Sequence, residues 1–134
     1  MRVTRAATVE ARDGLLVVRI RPGVRQTLED ARANMAACKA EESSTGRRLP
    51  PLLLDISQAV PLEPDVRHFY RSPSVHEVCS ALALVVELSP LGRMMGNVYL
   101  RVATLGVPTR LFHREDRALA WLQRQGKARK ARRA

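Results

Sequence analysis

Three short stretches of the chain are apolar at consecutive positions: Leu15-Leu16-Val17-Val18, Leu52-Leu53-Leu54 and Ala81 to Val86. They are too short for helices. The second, which runs from Pro50-Pro51 to Asp55-Ile56, has no polar face to give to solvent. A strand of that kind belongs in the middle of a sheet covered on both sides. This requirement excludes helical bundles and one-sided antiparallel sheets.

The segments between these runs read as helices. Thr27 opens the first, since its hydroxyl can cap the amide of Asp30 and acids in the first turn suit the helix dipole. That helix is expected to reach about Glu42, with Leu28, Ala31, Met35 and Cys38 inward. Pro64 suits the first position of a second helix carrying Val66, Phe69 and Tyr70. Ser89-Pro90 begins a third, with Leu91, Met94 or Met95, Val98 and Val102 inward. Glu115 and Asp116 open a fourth, which buries Ala118, Leu119, Trp121 and Leu122 and stops near Gly126. Residues 6–10 form a first strand, turned at Asp13-Gly14 into Leu15 to Arg21, and Thr109 to Phe112 forms the last. The order is β-β-α-β-α-β-α-β-α. It implies a single α/β domain with a mixed, mostly parallel sheet covered by helices. Residues 1–5 are expected to be flexible, 6–125 to form the domain, and 126–134 to be a basic disordered tail.

Charge bears on partners. The net charge is +10, and 20 of the 23 basic residues are arginine. Lys127, Arg129, Lys130, Arg132 and Arg133 account for half of that excess; without them 18 basic residues face 13 acidic ones. Like-charge blocks are usually solvated and frayed, so the tail is read that way, with nucleic-acid binding through it a weaker alternative. Residues 1–8 are polar and basic, which gives no secretory signal, and the nine-residue run Val78 to Val86 falls short of the ~20 residues that span a bilayer. A cytoplasmic protein with no membrane span is expected. Cys38 and Cys79 are not a CxxC pair and read as buried reduced thiols.

No motif specifies catalysis. Ser57, Asp55 and His68 are the residue types of a hydrolase triad but lack a GxSxG elbow. His76 and Cys79 share helical spacing without further ligands, so no metal and no other cofactor is expected. Gly92 and Gly96 share one helix face and suit close packing on the sheet or contact with a second copy in a homodimer. The best ligand position is the Ser89-Pro90 helix start, where free amides next to Arg93 could hold an anion.

These residues resemble a family. Leu53-Leu54-Asp55-Ile56, Ser80 to Val86, Ser89 to Asn97, Val107-Pro108-Thr109-Arg110-Leu111-Phe112 and Ala118 to Leu122 are similar to STAS domains of SpoIIAA-like fold. The similarity is greatest to small bacterial STAS-like proteins of unassigned function. It covers roughly Gly14 to Gln125. The resemblance implies a non-enzymatic, regulatory module that binds a protein partner. In the anti-sigma-factor antagonist branch the partner is a kinase, and a serine or threonine at the start of the helix after the third strand is phosphorylated. Here that position falls near Glu63–Pro64, and the nearby hydroxyl, Ser57, comes too early. The phospho-switch is therefore expected to be absent. A carboxylate at Glu63 mimics a phosphate poorly, having less charge and fewer acceptor oxygens. A small apolar or anionic ligand is the alternative, since aliphatics with Met94 and Met95 suit an apolar pocket. The site residues are thus Ser89, Arg93, Asn97, Ser57 and Glu63. If Ser89 caps its helix, Ser89→Ala should cost about 1 kcal/mol in a denaturant titration, with the helix frayed and not lost.

Overall fold

A computed structural model describes residues 1–72, 78–86 and 107–133. Among them, six strands form one sheet in sequential order. The strands are β1 (Arg2–Val3), β2 (Ala7–Arg12), β3 (Leu15–Ile20), β4 (Leu52–Asp55), β5 (Leu82–Val85) and β6 (Thr109–Phe112). β1, β2 and β3 are antiparallel neighbours. From β3 to β6 every pairing is parallel. The helices are α1 (Leu28–Glu42), followed by a 3-10 turn at Ser43–Thr45, then α2 (Pro64–Tyr70) and α3 (Glu115–Arg133). The expected third helix, from Ser89 to about Ala103, lies outside the described residues.

The doubly apolar runs behave as their composition requires. Leu16, Val18, Leu52, Leu82 and Leu84 face α1 and α2 in one core, with Val66 of α2 fully enclosed. Leu15, Val17, Leu53, Ala83 and Val85 face the other way, against Ala118, Trp121 and Leu122 of α3. The Trp121 ring packs on Phe112 with centroids 5.7 Å apart. Cys38 and Cys79 both lie in the first core, where burial pushes each thiol up to about 12. The β2–β3 hairpin turns on Asp13 (φ 53°) and Gly14 (φ 80°), as a two-residue turn with both central residues left-handed demands.

Helix α1 begins as read. Thr27 Oγ1 accepts from the Asp30 amide at 3.1 Å, and Asp30 Oδ2 accepts from the Thr27 amide at 2.8 Å. Its inward stripe differs from the expected one. Ala31 and Cys38 are buried, but the others are Asp30, Asn34, Ala37 and Glu41, while Met35 packs at the margin. Three polar residues are tolerated because the first five residues supply their partners. Arg5 grips Asp30 through Nε–Oδ1 (2.9 Å) and Nη2–Oδ2 (2.5 Å). The Thr4 hydroxyl donates to Asn34 Oδ1 at 2.7 Å, and Arg2 Nε lies 3.4 Å from Glu41 Oε1. Residues 1–5 are therefore not the flexible leader expected, because they carry strand β1 and satisfy the polar face of α1. On the far side of Asn34, Tyr70 Oη donates to Gln26 Oε1 at 2.6 Å, which ties α2 into the same network.

The second departure is at the other end. The last helix is expected to stop near Gly126, but α3 continues to Arg133. Lysine, arginine and alanine are good helix formers, one glycine costs only about 1 kcal/mol, and cations near a carboxyl terminus favour the dipole.

Asp30 links this architecture to pH. The Arg5 hydrogen bond, assisted by the Thr27 bonds and opposed by burial, holds its carboxyl at about 2, below the ordinary 3.8. A depressed folded value means the stabilisation is complete above about pH 4 and disappears as pH falls toward 2. Melting curves across that window should show the loss in the wild type and a flatter profile in Asp30→Asn, whose melting temperature at neutral pH should be lower.

Candidate functional site

Parallel strands align their carboxyl ends, and in open α/β sheets that edge is where loops converge on ligands. Here Arg19, Asp55, Val85 and Phe112 are register neighbours across β3, β4, β5 and β6. All four lie on the α3 side of the sheet, since side chains alternate along a strand and Val17, Leu53 and Ala83 face α3 two residues earlier. The row is apolar at β5 and β6 and charged at β3 and β4, so it closes the apolar core with an ion pair.

Arg19 Nη1 donates to Asp55 Oδ2 at 2.9 Å, and its Nη2 donates to Glu115 Oε1 in the first turn of α3. Partial burial opposes the Arg19 charge, but the hydrogen bonds and negative charges of Glu115 and Asp55 outweigh it and raise its pKa. The other Asp55 oxygen, Oδ1, accepts from the Ser57 amide at 3.0 Å and shapes the loop after β4. His113, between β6 and α3, has Nδ1 3.1 Å from the Val86 carbonyl oxygen. That oxygen can only accept, so Nδ1 carries the hydrogen.

The loop after β4 leads to α2. Glu63 is the N-cap residue, with extended backbone (φ −67°, ψ 155°), and Pro64 follows inside the helix. Its carboxylate does not cap the helix. It accepts from Arg25 Nη1 of the β3–α1 loop at 3.0 Å, with 47% of the Glu63 side chain exposed. Glu63 thus stands at a helix start, where the STAS resemblance places a switched hydroxyl, and Ser57 lies six residues earlier in the loop.

The structure brings only part of the expected set together. Asp55 and Ser57 meet through a backbone amide, but the Ser57 hydroxyl bonds to neither Asp55 nor His68 among the described residues. Ser89, Arg93, Asn97 and His76 lie outside the described residues. Lys127, Arg129, Lys130, Arg132 and Arg133 fall on the helical backbone of α3. Among the described residues, no three His, Cys, Asp or Glu side chains gather to hold a metal ion, and no helix is long and apolar enough to cross a membrane. Sequence reading missed the Arg19–Asp55–Glu115 clamp. Its signal was a charged residue at the end of each apolar strand, which becomes a pair only when β3 and β4 are known to be neighbours.

The family described as a domain of unknown function, DUF7793, matches residues 9–125. The chain belongs to that family. No curated protein matches this DUF7793 chain in sequence. Its structure is similar to the crystal structure of an uncharacterized protein of the DUF3478 family, with a SpoIIAA-like fold, from Shewanella loihica PV-4. The two share 17% identity at a TM-score of 0.57, over 91% of this chain and 98% of that one. The DUF7793 domain therefore has a SpoIIAA-like fold, in agreement with the STAS-like resemblance.

The clamp makes a direct prediction. Arg19→Gln should leave Asp55 and Glu115 without their shared cation and destabilise the domain by about 1–2 kcal/mol in urea titration. Glu115→Gln in the Arg19→Gln background should cost little more, so the double-mutant cycle should be strongly non-additive.

Proposed function

We propose that this DUF7793 domain is a non-enzymatic, STAS-like interaction module. It binds a protein partner through the carboxyl edge of its parallel strands and works without a phosphorylation switch. The observation that carries the reading is Glu63. It is exposed and charged, and it stands at the start of the helix after β4, where the antagonist branch of the STAS resemblance has its switched hydroxyl. A carboxylate there gives the surface a permanent charge in place of a reversible one. Arg25 orients that charge without neutralising its surroundings, since an exposed pair contributes only about 0–1 kcal/mol. Ser57 borders the same loop. Ser89, Arg93 and Asn97, which follow β5 in the chain, complete the proposed contact set, and Arg93 adds a positive charge to it.

The test is affinity capture of a specific partner by the intact chain from a lysate of the source organism, followed by binding measurements on the purified pair. Glu63→Lys and Arg93→Glu should each weaken the complex at least tenfold with little change in melting temperature. The swap Arg25→Glu with Glu63→Lys restores an intramolecular pair with reversed polarity, and it should still fail to bind. Wild-type affinity in the swapped protein, or no specific partner under native conditions, would defeat the proposal.

A further inference from the structure

The opposite, amino-terminal edge of the parallel strands carries a different charge arrangement. Its centre is the Asp13-Gly14 turn between β2 and β3. The Arg47 guanidinium lies over Gly14, with Nε 3.1 Å and Nη2 3.2 Å from where a Cβ would stand. From α3, Gln123 Nε2 donates to the Asp13 carbonyl oxygen at 3.2 Å. Arg12 ends β2 beside this turn, Arg48 follows Arg47 in the chain after the 3-10 turn, and Arg124 follows Gln123 on α3. All four arginines are exposed. None makes a side-chain hydrogen bond or ion pair among the described residues. At the carboxyl edge, by contrast, Arg19 and Arg25 are both paired with carboxylates. The nearby Glu42 is already engaged, by Lys39 and by the Leu49 amide, which leaves Asp13 as the acid of this patch.

From that turn the same helix runs on to Arg133, and residues 126–133 contribute five cations and no acid. At about 1.5 Å per residue, the ten steps from Gln123 to Arg133 make a rod of roughly 15 Å. Arg12, Arg47, Arg48 and Arg124 with the five cations of residues 126–133 make nine positive charges in the sequence of these segments.

We infer that this edge binds the phosphate backbone of double-stranded nucleic acid, through Arg12, Arg47, Arg48, Arg124 and the basic turns of α3. Arginine forks match phosphate oxygens in pairs. Residues 123–134 contain nothing more apolar than alanine, so this stretch has no face to sink into a bilayer interface. The one tryptophan, Trp121, is buried, and residues 123–134 hold no aromatic, so this stretch offers no stacking platform for single strands, which favours a duplex read by its backbone alone. An acidic protein seldom matches the charge density of a duplex, about one charge per 1.7 Å of axis. Binding of this kind is independent of sequence and steeply salt-dependent.

The experiment is fluorescence anisotropy of the intact protein with a labelled ~20-base-pair DNA duplex, titrated from about 50 to 200 mM salt. The wild type should bind at low salt and weaken linearly on logarithmic axes. The triple variant R12Q/R47Q/R48Q should bind at least tenfold more weakly and lose about 2–3 units of salt slope. The control R67Q/R71Q, at the end of α2 and away from this edge, should bind as the wild type does, and all three proteins should melt alike. No binding at low salt, or equal loss in the control, overturns the inference. So does a triple variant equal to the wild type when K127Q/R129Q/K130Q abolishes binding, because the folded face then plays no part. Equal affinity for phosphatidylglycerol vesicles, with the same loss in the triple variant, overturns the assignment to nucleic acid.

Discussion

The second apolar face of the sheet has one described cover, and most of the molecule follows from that. With β3 to β6 in sequential order, the connections through α1 and α2 fall on one side, as uniform crossover handedness requires. Leu15, Val17, Leu53, Ala83 and Val85 would otherwise face water. α3 encloses them, and two residues separate it from β6. Its start is therefore fixed at the carboxyl edge, beside Arg19 and Asp55, and its middle reaches the hairpin at the amino edge. A four-residue strand is about 13 Å long, which some nine helical residues already match. α3 has 19, so its length exceeds what covering the sheet demands.

The strands and the start of α1 were legible because each depends on local rules. Doubly apolar runs force central strands, an Asp-Gly pair turns a hairpin, and Thr27 with Asp30 marks a helix entry. The arm at residues 1–5 was not legible, because Asp30, Asn34 and Glu41 look like a solvent face until Arg5, Thr4 and Arg2 are known to reach them. Those contacts span 25 to 39 positions, far beyond any periodicity. The Arg19–Asp55 pair was hidden for the same reason, at a separation of 36. The continuation of α3 was misread because charge was weighed above helix propensity at a single glycine. Of the candidate site, the helix start at Glu63–Pro64 was read correctly, while the bond from Arg25 was not foreseen.

One sheet thus has two ends in different electrostatic states. At the carboxyl edge, Arg19 and Arg25 are paired with acids of their own chain, and the surface is shaped by individual groups such as the exposed Glu63. At the amino edge, arginines are left unmatched, and the surface acts through summed charge. The first suits recognition of a defined partner and the second suits a repeating polyanion. A SpoIIAA-like fold permits both because its elements enter one edge and leave at the other.

The brevity of β1 also has a consequence for solubility. An open sheet edge presents unpaired amides and carbonyls to any other chain. β1 covers β2 only at Thr8 and Val9, and beyond it the uncovered stretch carries Glu10 and Arg12. A two-residue strand is too short to template a new neighbour, and charges on the bare remainder oppose one. Loss of residues 1–5 would lay open a six-residue edge containing Ala7, Val9 and Ala11. The same five residues that satisfy α1 therefore also narrow the edge that this side of the sheet offers to another copy.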